Sequence, residues 1–305
     1  MNYSRRNFIK TAGLATAGTI FATQTSFGSK SIWTSNSNTL KVGLIGCGGR
    51  GTGAAGEALN ADPNVIITAM ADAFEDQLNN SLSSLKEKYG NKVQVPDNHK
   101  FVGLDAYQKL IDSDVDVVLL AAPPCFRPQH LEASVNAGKH IFCEKPFAVD
   151  APGLRRVMEA TRKAKAKNLS LVSGFCWRYH QPKRDTFNRV LNGQIGEVLG
   201  GEATYNTGEL WFKEKQKGWS DMEYKLRNWL YYNWLSGDHV VEQAIHSIDM
   251  FSWAIGDKAP LKISGTGGRQ KRTDPKYGNI YDHFGLTYEY DNGVKIYFFC
   301  RQQNK

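Results

Sequence analysis

Gly46-Cys47-Gly48-Gly49-Arg50-Gly51 follows the apolar run 42–45 and opens a helix-forming stretch; no other feature narrows the possible folds so far. Glycines in a G-x-G-x-x-G pattern between strand and helix let the backbone approach a pyrophosphate, whose charge the helix N-terminus meets. A second apolar run, 65–71, ends at Asp72, about twenty residues beyond Gly51, the spacing of the ribose-binding acid. Its carboxylate accepts from the adenosine ribose and repels a 2′-phosphate. Gly46, Cys47, Gly48, Gly49, Arg50, Gly51 and Asp72 together predict a dinucleotide site that prefers NAD. Arg50, able to pair with a phosphate, keeps NADP open.

From residue 40 onward, apolar runs alternate with helix-forming stretches. Residues 115–122 are almost wholly apolar, as suits a parallel strand buried on both faces, and 140–143 and 169–173 are shorter candidates. Residues 51–59, 74–89, 128–137 and 152–165 predict helices, the last with Asp150 as its cap and Pro152 in its first turn. This alternation predicts an α/β architecture, a Rossmann domain with a doubly wound parallel sheet over 39–175. Beyond Cys176 the chain is richer in aromatics. The alternating stretches 286–290 and 294–298 flank Asp291-Asn292-Gly293, a hairpin turn signal. An α+β domain with a mainly antiparallel open sheet is therefore expected over 176–305. The chain stops at Lys305 directly after a predicted strand, so this domain is expected to be truncated at its C-terminal end.

Charge and cysteine usage exclude some partners. The formal charge is +8, and half of it lies on Arg5, Arg6, Lys10 and Lys30 among the first forty residues, where Asp and Glu are absent. The remainder holds no clustered basic stripe, so nucleic acid is not an expected partner. Paired arginines before the weakly apolar stretch 11–22, then a Ser/Thr-rich tract to about Asn38, have the layout of a twin-arginine signal peptide. Residues 1–38 are expected to be signal and linker, and the protein to be periplasmic or otherwise exported. The apolar stretch is too short and too rich in Gly and Thr for a stable membrane span. Cys47, Cys125, Cys143, Cys176 and Cys300 are odd in number and widely spaced, and all five are expected to be buried thiols.

Three further motifs carry a family resemblance. Ala137-Gly138-Lys139-His140-Ile141-Phe142-Cys143-Glu144-Lys145-Pro146 resembles the A-G-K-H-V-x-x-E-K-P signature of the glucose–fructose oxidoreductase / inositol dehydrogenase (Gfo/Idh/MocA) family. The segment from Gly174 to Arg178-Tyr179 is similar to that family's passage into its second domain. Glu242-Gln243-Ala244-Ile245-His246-Ser247-Ile248-Asp249 resembles its D-x-x-x-H-x-x-D helix, with Glu in place of the commoner Asp. The resemblance implies an NAD(P)-dependent oxidoreductase acting on CH–OH groups, with Lys145 and His246 as the catalytic pair. It also implies that Pro123, Pro124, His130, Glu144 and Lys145 lie along the cofactor, and that the chain forms homo-oligomers through its open sheet.

The chemistry of these residues agrees with the resemblance. Removing a hydroxyl proton while hydride leaves carbon needs a base, and His246 suits that work near neutral pH. Glu242, four residues earlier, is expected on the same helix face, where it orients the imidazole or holds substrate. Lys145 steadies the developing alkoxide. Arg178, Asn233, Trp234, His239 and Asp249 are further substrate candidates, the aromatics for packing against sugar C–H surfaces. His239, Glu242 and His246 share a helical spacing that suits a metal, but no other ligand completes a set, and none is expected. The expected substrate is a sugar, glycoside or cyclitol, and an exported enzyme must carry NAD tightly bound. Two alternatives stay open: a redox-neutral glycosidase working through a transient 3-keto sugar, and a non-catalytic dinucleotide-binding protein.

Overall fold

In the computed structural model, which describes residues 39–304, the apolar runs of the first half pair as parallel strands. The expected export signal over 1–38 lies outside the described residues. Strands β1 (Leu40–Ile45), β2 (Val65–Asp72), β3 (Lys100–Val102), β4 (Val117–Leu120), β5 (His140–Cys143) and β6 (Leu171–Ser173) form one sheet in the order β3-β2-β1-β4-β5-β6. Every pairing in it is parallel. The order reverses between β1 and β4, so a crevice opens beyond the C-terminal ends of those two strands.

Helices α1 (Gly49–Ala61), α2 (Glu75–Tyr89), α3 (Ala106–Ile111), α4 (Arg127–Asn136) and α5 (Ala151–Ala166) cover the sheet. Leu119 of β4 packs with Leu44, Leu59 and Leu78 on one face, while its neighbours Val118 and Leu120 pack with Leu131, Val135 and Val157 on the other. A strand buried on both sides shows no polar alternation, which is why these runs are continuously apolar. Asp150 caps α5, accepting from the Gly153 N–H at 2.7 Å. The structure shortens the predicted strand 115–122 to four residues and adds β3 and α3, which the apolar pattern does not reveal. No disulfide joins the five cysteines; Cys47, Cys143 and Cys300 are buried, but Cys125 is half-buried and Cys176 exposed, which corrects the expectation for those two.

The second half contains α6 (Gln181–Leu191), β7 (Gly200–Thr207), α7 (Asp221–Arg227), α8 (Asn233–Ser236), α9 (Asp238–Glu242) and α10 (Ile245–Ala254). Strands β8 (Lys262–Gly268), β9 (His283–Glu289) and β10 (Lys295–Gln302) follow, and the sheet order is β7-β10-β9-β8. β10 runs antiparallel to β9 through the predicted hairpin and parallel to β7, so the sheet is mixed. Its inner face sets Ile296, Phe298 and Cys300 with Phe251 of α10, while Tyr297 and Phe299, one residue out of phase, are each 47% exposed. Among the described residues no helix is long and apolar enough to cross a membrane.

Candidate functional site

The turn after β1 is built so that only glycine fits at two of its places. Gly46 has φ +95°, and a Cβ there would lie 2.4 Å from the Ala122 nitrogen; a Cβ on Gly51 would lie 1.8 Å from the Gly46 carbonyl oxygen. Both glycines let α1 dock closely on the strand ends. Gly48 and Gly49 face open space, with nothing within 4 Å of an added Cβ. Gly48 caps α1 without a side-chain bond, leaving the first-turn N–H groups of a 13-residue helix for an anionic ligand. These features fit the pyrophosphate of a dinucleotide.

Asp72 ends β2 beside this turn. Its Oδ2 accepts from the Cys47 N–H at 2.6 Å and its Oδ1 from the Phe74 N–H at 2.9 Å. Each oxygen keeps a further lone pair for a ribose hydroxyl. Burial raises the Asp72 pKa despite those two donors. Cys47 serves through its backbone, since its thiol is turned inward toward the Ala71 carbonyl. Arg50 is spanned by two carboxylates, Nε to Glu144 at 2.8 Å and Nη2 to Glu57 at 2.6 Å. Its charge is already paired, which weakens the case for a 2′-phosphate at Arg50. Glu144, 6% exposed, thereby ties the end of β5 to the glycine turn.

A cavity of about 640 Å³ runs from this turn across the crevice, within the range of small-ligand sites. Pro123, Pro124 and His130 line it. The ring of His130 stacks on Tyr107 with centroids 4.4 Å apart, and burial pushes its pKa down to about 3. Arg127, 3% exposed, donates to the carbonyls of Leu120 and Ala122 and so holds the loop beyond β4.

Lys145 and Glu242, 97 residues apart, meet at this cavity. The ammonium donates to the Glu242 carbonyl at 2.5 Å and to its Oε1 at 3.2 Å, with side-chain exposures of 13% and 9%. The other carboxylate oxygen, Oε2, is buried and has no hydrogen-bond partner among the described residues. The single helix expected through Glu242 and His246 is broken. The Ala244 N–H bonds the His239 carbonyl five residues back, so Glu242 ends α9 and His246 lies in the first turn of α10. His246 lies off the cavity wall, against Trp177 with centroids 4.9 Å apart, and its buried Nδ1 is also unpartnered. Burial and the Lys145 charge lower its pKa to about 4, so the ring is neutral at physiological pH.

The remaining second-domain candidates are not placed on the cavity. His239 is fully buried with its Nε2 3.3 Å from the Cys300 sulfur, in the packing of α9 on β10. Arg178 clamps two carboxylates, Asp249 at 2.8 Å and Asp257 at 2.6 Å, fastening the turn after β6 to α10. Asn233 bonds Asn279 and Trp234 is 46% exposed, both away from the cavity. In their place the wall is made by Trp211, Lys213, Arg227, Trp229 and Gln243. Gln243 lies within the Glu242–Asp249 motif, but Trp211, Lys213, Arg227 and Trp229 were not among the sequence candidates. Among the described residues no three His, Cys, Asp or Glu side chains are grouped to share a metal ion.

Residues 40–172 match the model of an oxidoreductase family with an NAD-binding Rossmann fold, GFO_IDH_MocA. A myo-inositol 2-dehydrogenase of Thermotoga maritima is 31% identical over 158 residues, 52% of this chain and 42% of that protein. A glycosyl hydrolase family 109 protein of Solibacter usitatus is 30% identical over 217 residues, 67% of this chain and 46% of that protein. The chain spans about half the length of the curated relatives it matches. The structure of scyllo-inositol dehydrogenase from Lactobacillus casei with bound cofactor NAD(H) and scyllo-inositol aligns with a TM-score of 0.64, covering 87% of this chain and 70% of that one. At 19% identity that likeness is one of fold. Over residues 40–172 the chain is thus similar to the NAD-binding Rossmann half of the Gfo/Idh/MocA oxidoreductases.

Proposed function

We propose that this protein uses NAD to oxidise a hydroxyl of a cyclitol, sugar or glycoside at the crevice between its two sheets, and that it does so after twin-arginine export. The observation that carries the reading is the Lys145–Glu242 pair, set in the same cavity as the glycine turn and Asp72. The open surface over Gly48 and Gly49 and the uncapped start of α1 suit the pyrophosphate, and Asp72 suits the adenosine ribose. When bound, NAD supplies the acceptor for the hydride that leaves the carbinol carbon.

Lys145 donates to the substrate hydroxyl oxygen and steadies its negative charge as the proton departs. Glu242 Oε1 holds the ammonium in place, and its free Oε2 accepts from a second substrate hydroxyl. His246, neutral at physiological pH and with its Nδ1 turned inward, takes the proton at Nε2. Arg5 and Arg6 support export. An exported enzyme meets no pool of free nicotinamide, so the cofactor travels bound and is reoxidised in place. The family 109 relative and the unpartnered Glu242 Oε2, a candidate base beside the oxidised carbon, favour one second reading, the redox-neutral glycosidase.

Protein purified without added nucleotide, examined by mass spectrometry and absorbance, tests this directly. Reduced-nicotinamide absorbance that rises with one cyclitol or sugar supports the dehydrogenase and names its substrate class. Aglycone release from an aryl glycoside with no net reduction supports the glycosidase instead. Absence of any dinucleotide, with none acquired from NAD or NADP, refutes both.

A further inference from the structure

The second domain sends one segment back over the nucleotide-binding domain. After β7 the chain runs through 208–220 into α7, and Trp211, Lys213 and Arg227 join Asp72 and Phe74 on the wall of the cavity. The segment is internally braced. The Asn228 side chain bonds both the N–H and the carbonyl of Lys213 at 2.9 Å, and the Tyr231 hydroxyl donates to the carbonyls of Leu210 and Trp211 at 3.0 Å. Leu230, Tyr231, Tyr277 and Ile280 give it a small core of its own.

What fastens this segment to the first domain is Arg227. Its guanidinium makes a bidentate bond to Asp76, both contacts 2.9 Å, across 151 residues of sequence. It lies over the Phe74 ring at 3.9 Å and the Trp219 ring at 4.5 Å, and Glu223 holds its Nε at 2.9 Å. The side chain is 9% exposed. A planar guanidinium between two aromatic rings with a matched carboxylate is a closed geometry, not a loose surface pair. Phe74 and Asp76 follow directly on Asp72, the residue suited to the adenosine ribose.

We propose that Arg227 is a clasp: it closes segment 208–229 over the adenosine end of a bound NAD-type dinucleotide, so that the nucleotide leaves only after the Arg227–Asp76 contact opens. This rests on the NAD-binding reading above and adds to it the element that retains the cofactor. Lys213, half-buried on the same wall, adds a positive charge near Asp72.

The test loads the full chain with radiolabelled NAD, adds excess unlabelled NAD and follows loss of label. Arg227→Ala and Asp76→Ala should each speed release by about threefold or more, the scale of a bidentate charged contact whose carboxylate is half open to solvent. The double variant should release no faster than the quicker single variant, because both changes open one contact. Arg227→Lys, which keeps the charge and loses the fork, should fall between wild type and Arg227→Ala. Asp76 is 57% exposed, so its alanine variant should fold even if the arginine variant does not. Wild-type release rates in Asp76→Ala, with NAD still bound, overturn the clasp and leave the cofactor reading standing. A wild-type chain that binds no label overturns the cofactor reading and the clasp with it.

Discussion

Glu242→Gln isolates the charge in the buried pair at the candidate site. Two unit charges 3.2 Å apart attract by about 5 kcal/mol at an effective dielectric of about 20. Desolvation of both groups offsets much of this, but the variant bears that cost on one side only, leaving the Lys145 ammonium buried without its counter-charge. The Lys145 bond to the residue 242 carbonyl survives, so the expected loss is about 2–3 kcal/mol, or roughly 3–5 °C in Tm for a chain of this size. Turnover in the proposed reaction should fall by about a hundredfold or more, the usual scale for a displaced acid–base group. Bound NAD should be retained, since the glycine turn is untouched. Thermal unfolding, nucleotide content and reduced-nicotinamide absorbance read the three effects separately. Pairing it with Lys145→Met removes both charges and should recover most of the lost stability while leaving turnover absent. Wild-type Tm and wild-type turnover in Glu242→Gln would show that the pair matters to neither stability nor chemistry.

Gly51→Ala should cost about 3 kcal/mol or more, because its Cβ meets the Gly46 carbonyl at 1.8 Å and Gly46 is itself pressed on Ala122; a wild-type urea midpoint would contradict this packing. His246 and His130 have folded-state values of about 4 and about 3, below the ordinary 6.5, so the fold favours the neutral rings. Stability is then complete above about pH 6.5 and lost as the pH falls toward 4 and 3, on the order of 2 kcal/mol per histidine by pH 4 after screening. Urea midpoints at pH 7, 5 and 4 should drop accordingly, less steeply in His130→Gln, and a flat series counts against buried neutral rings. Arg178→Ala removes contacts to Asp249 and Asp257 and a stack on Trp253, and should lower stability by about 2 kcal/mol in the same assay; an unchanged midpoint would reduce that clamp to a surface pair.

The nucleotide-binding half was legible because its signals are local. Gly46, Gly51 and Asp72 lie within one strand–helix–strand unit, and the Gly51–Gly46 and Asp72–Cys47 contacts are made inside it, although Gly46 also presses on the distant Ala122. Glu144 and Lys145 were found through a contiguous signature. The second domain yields less because its site residues are assembled across long separations. Arg178 pairs with Asp249 across 71 residues and Arg227 with Asp76 across 151, and no periodicity encodes either meeting. Charge and aromatic character nominated Arg178 and Trp234, but those properties suit a clamp or a surface as well as a pocket. The four-residue spacing of Glu242 and His246 misled because no glycine or proline marks the break at Gln243-Ala244. The wide turn there is set by packing of the buried His239 against β10, which only the tertiary structure reveals.

Where the two domains touch decides what the site can do. Lys145 follows β5 and reaches Glu242, while Asp76 follows β2 and receives Arg227. In the sheet β2 and β5 are separated by β1 and β4, so the two links stand roughly 14 Å apart at about 4.8 Å per strand, one on each side of the switch point. A dinucleotide lying across the β1/β4 crevice spans that interval. The first domain alone holds the glycine turn, Asp72 and Lys145, but neither the carboxylate that holds the ammonium nor the arginine that closes the far wall. On the proposed function and clasp, rigid opening of the crevice would break the Lys145–Glu242 alignment at one end and cofactor retention at the other together. Variants that loosen either link should raise nucleotide release and lower turnover in step if the domains move as one body. If Arg227→Ala speeds release while the Lys145–Glu242 end keeps its turnover, the segment 208–229 moves on its own and the two links are energetically independent.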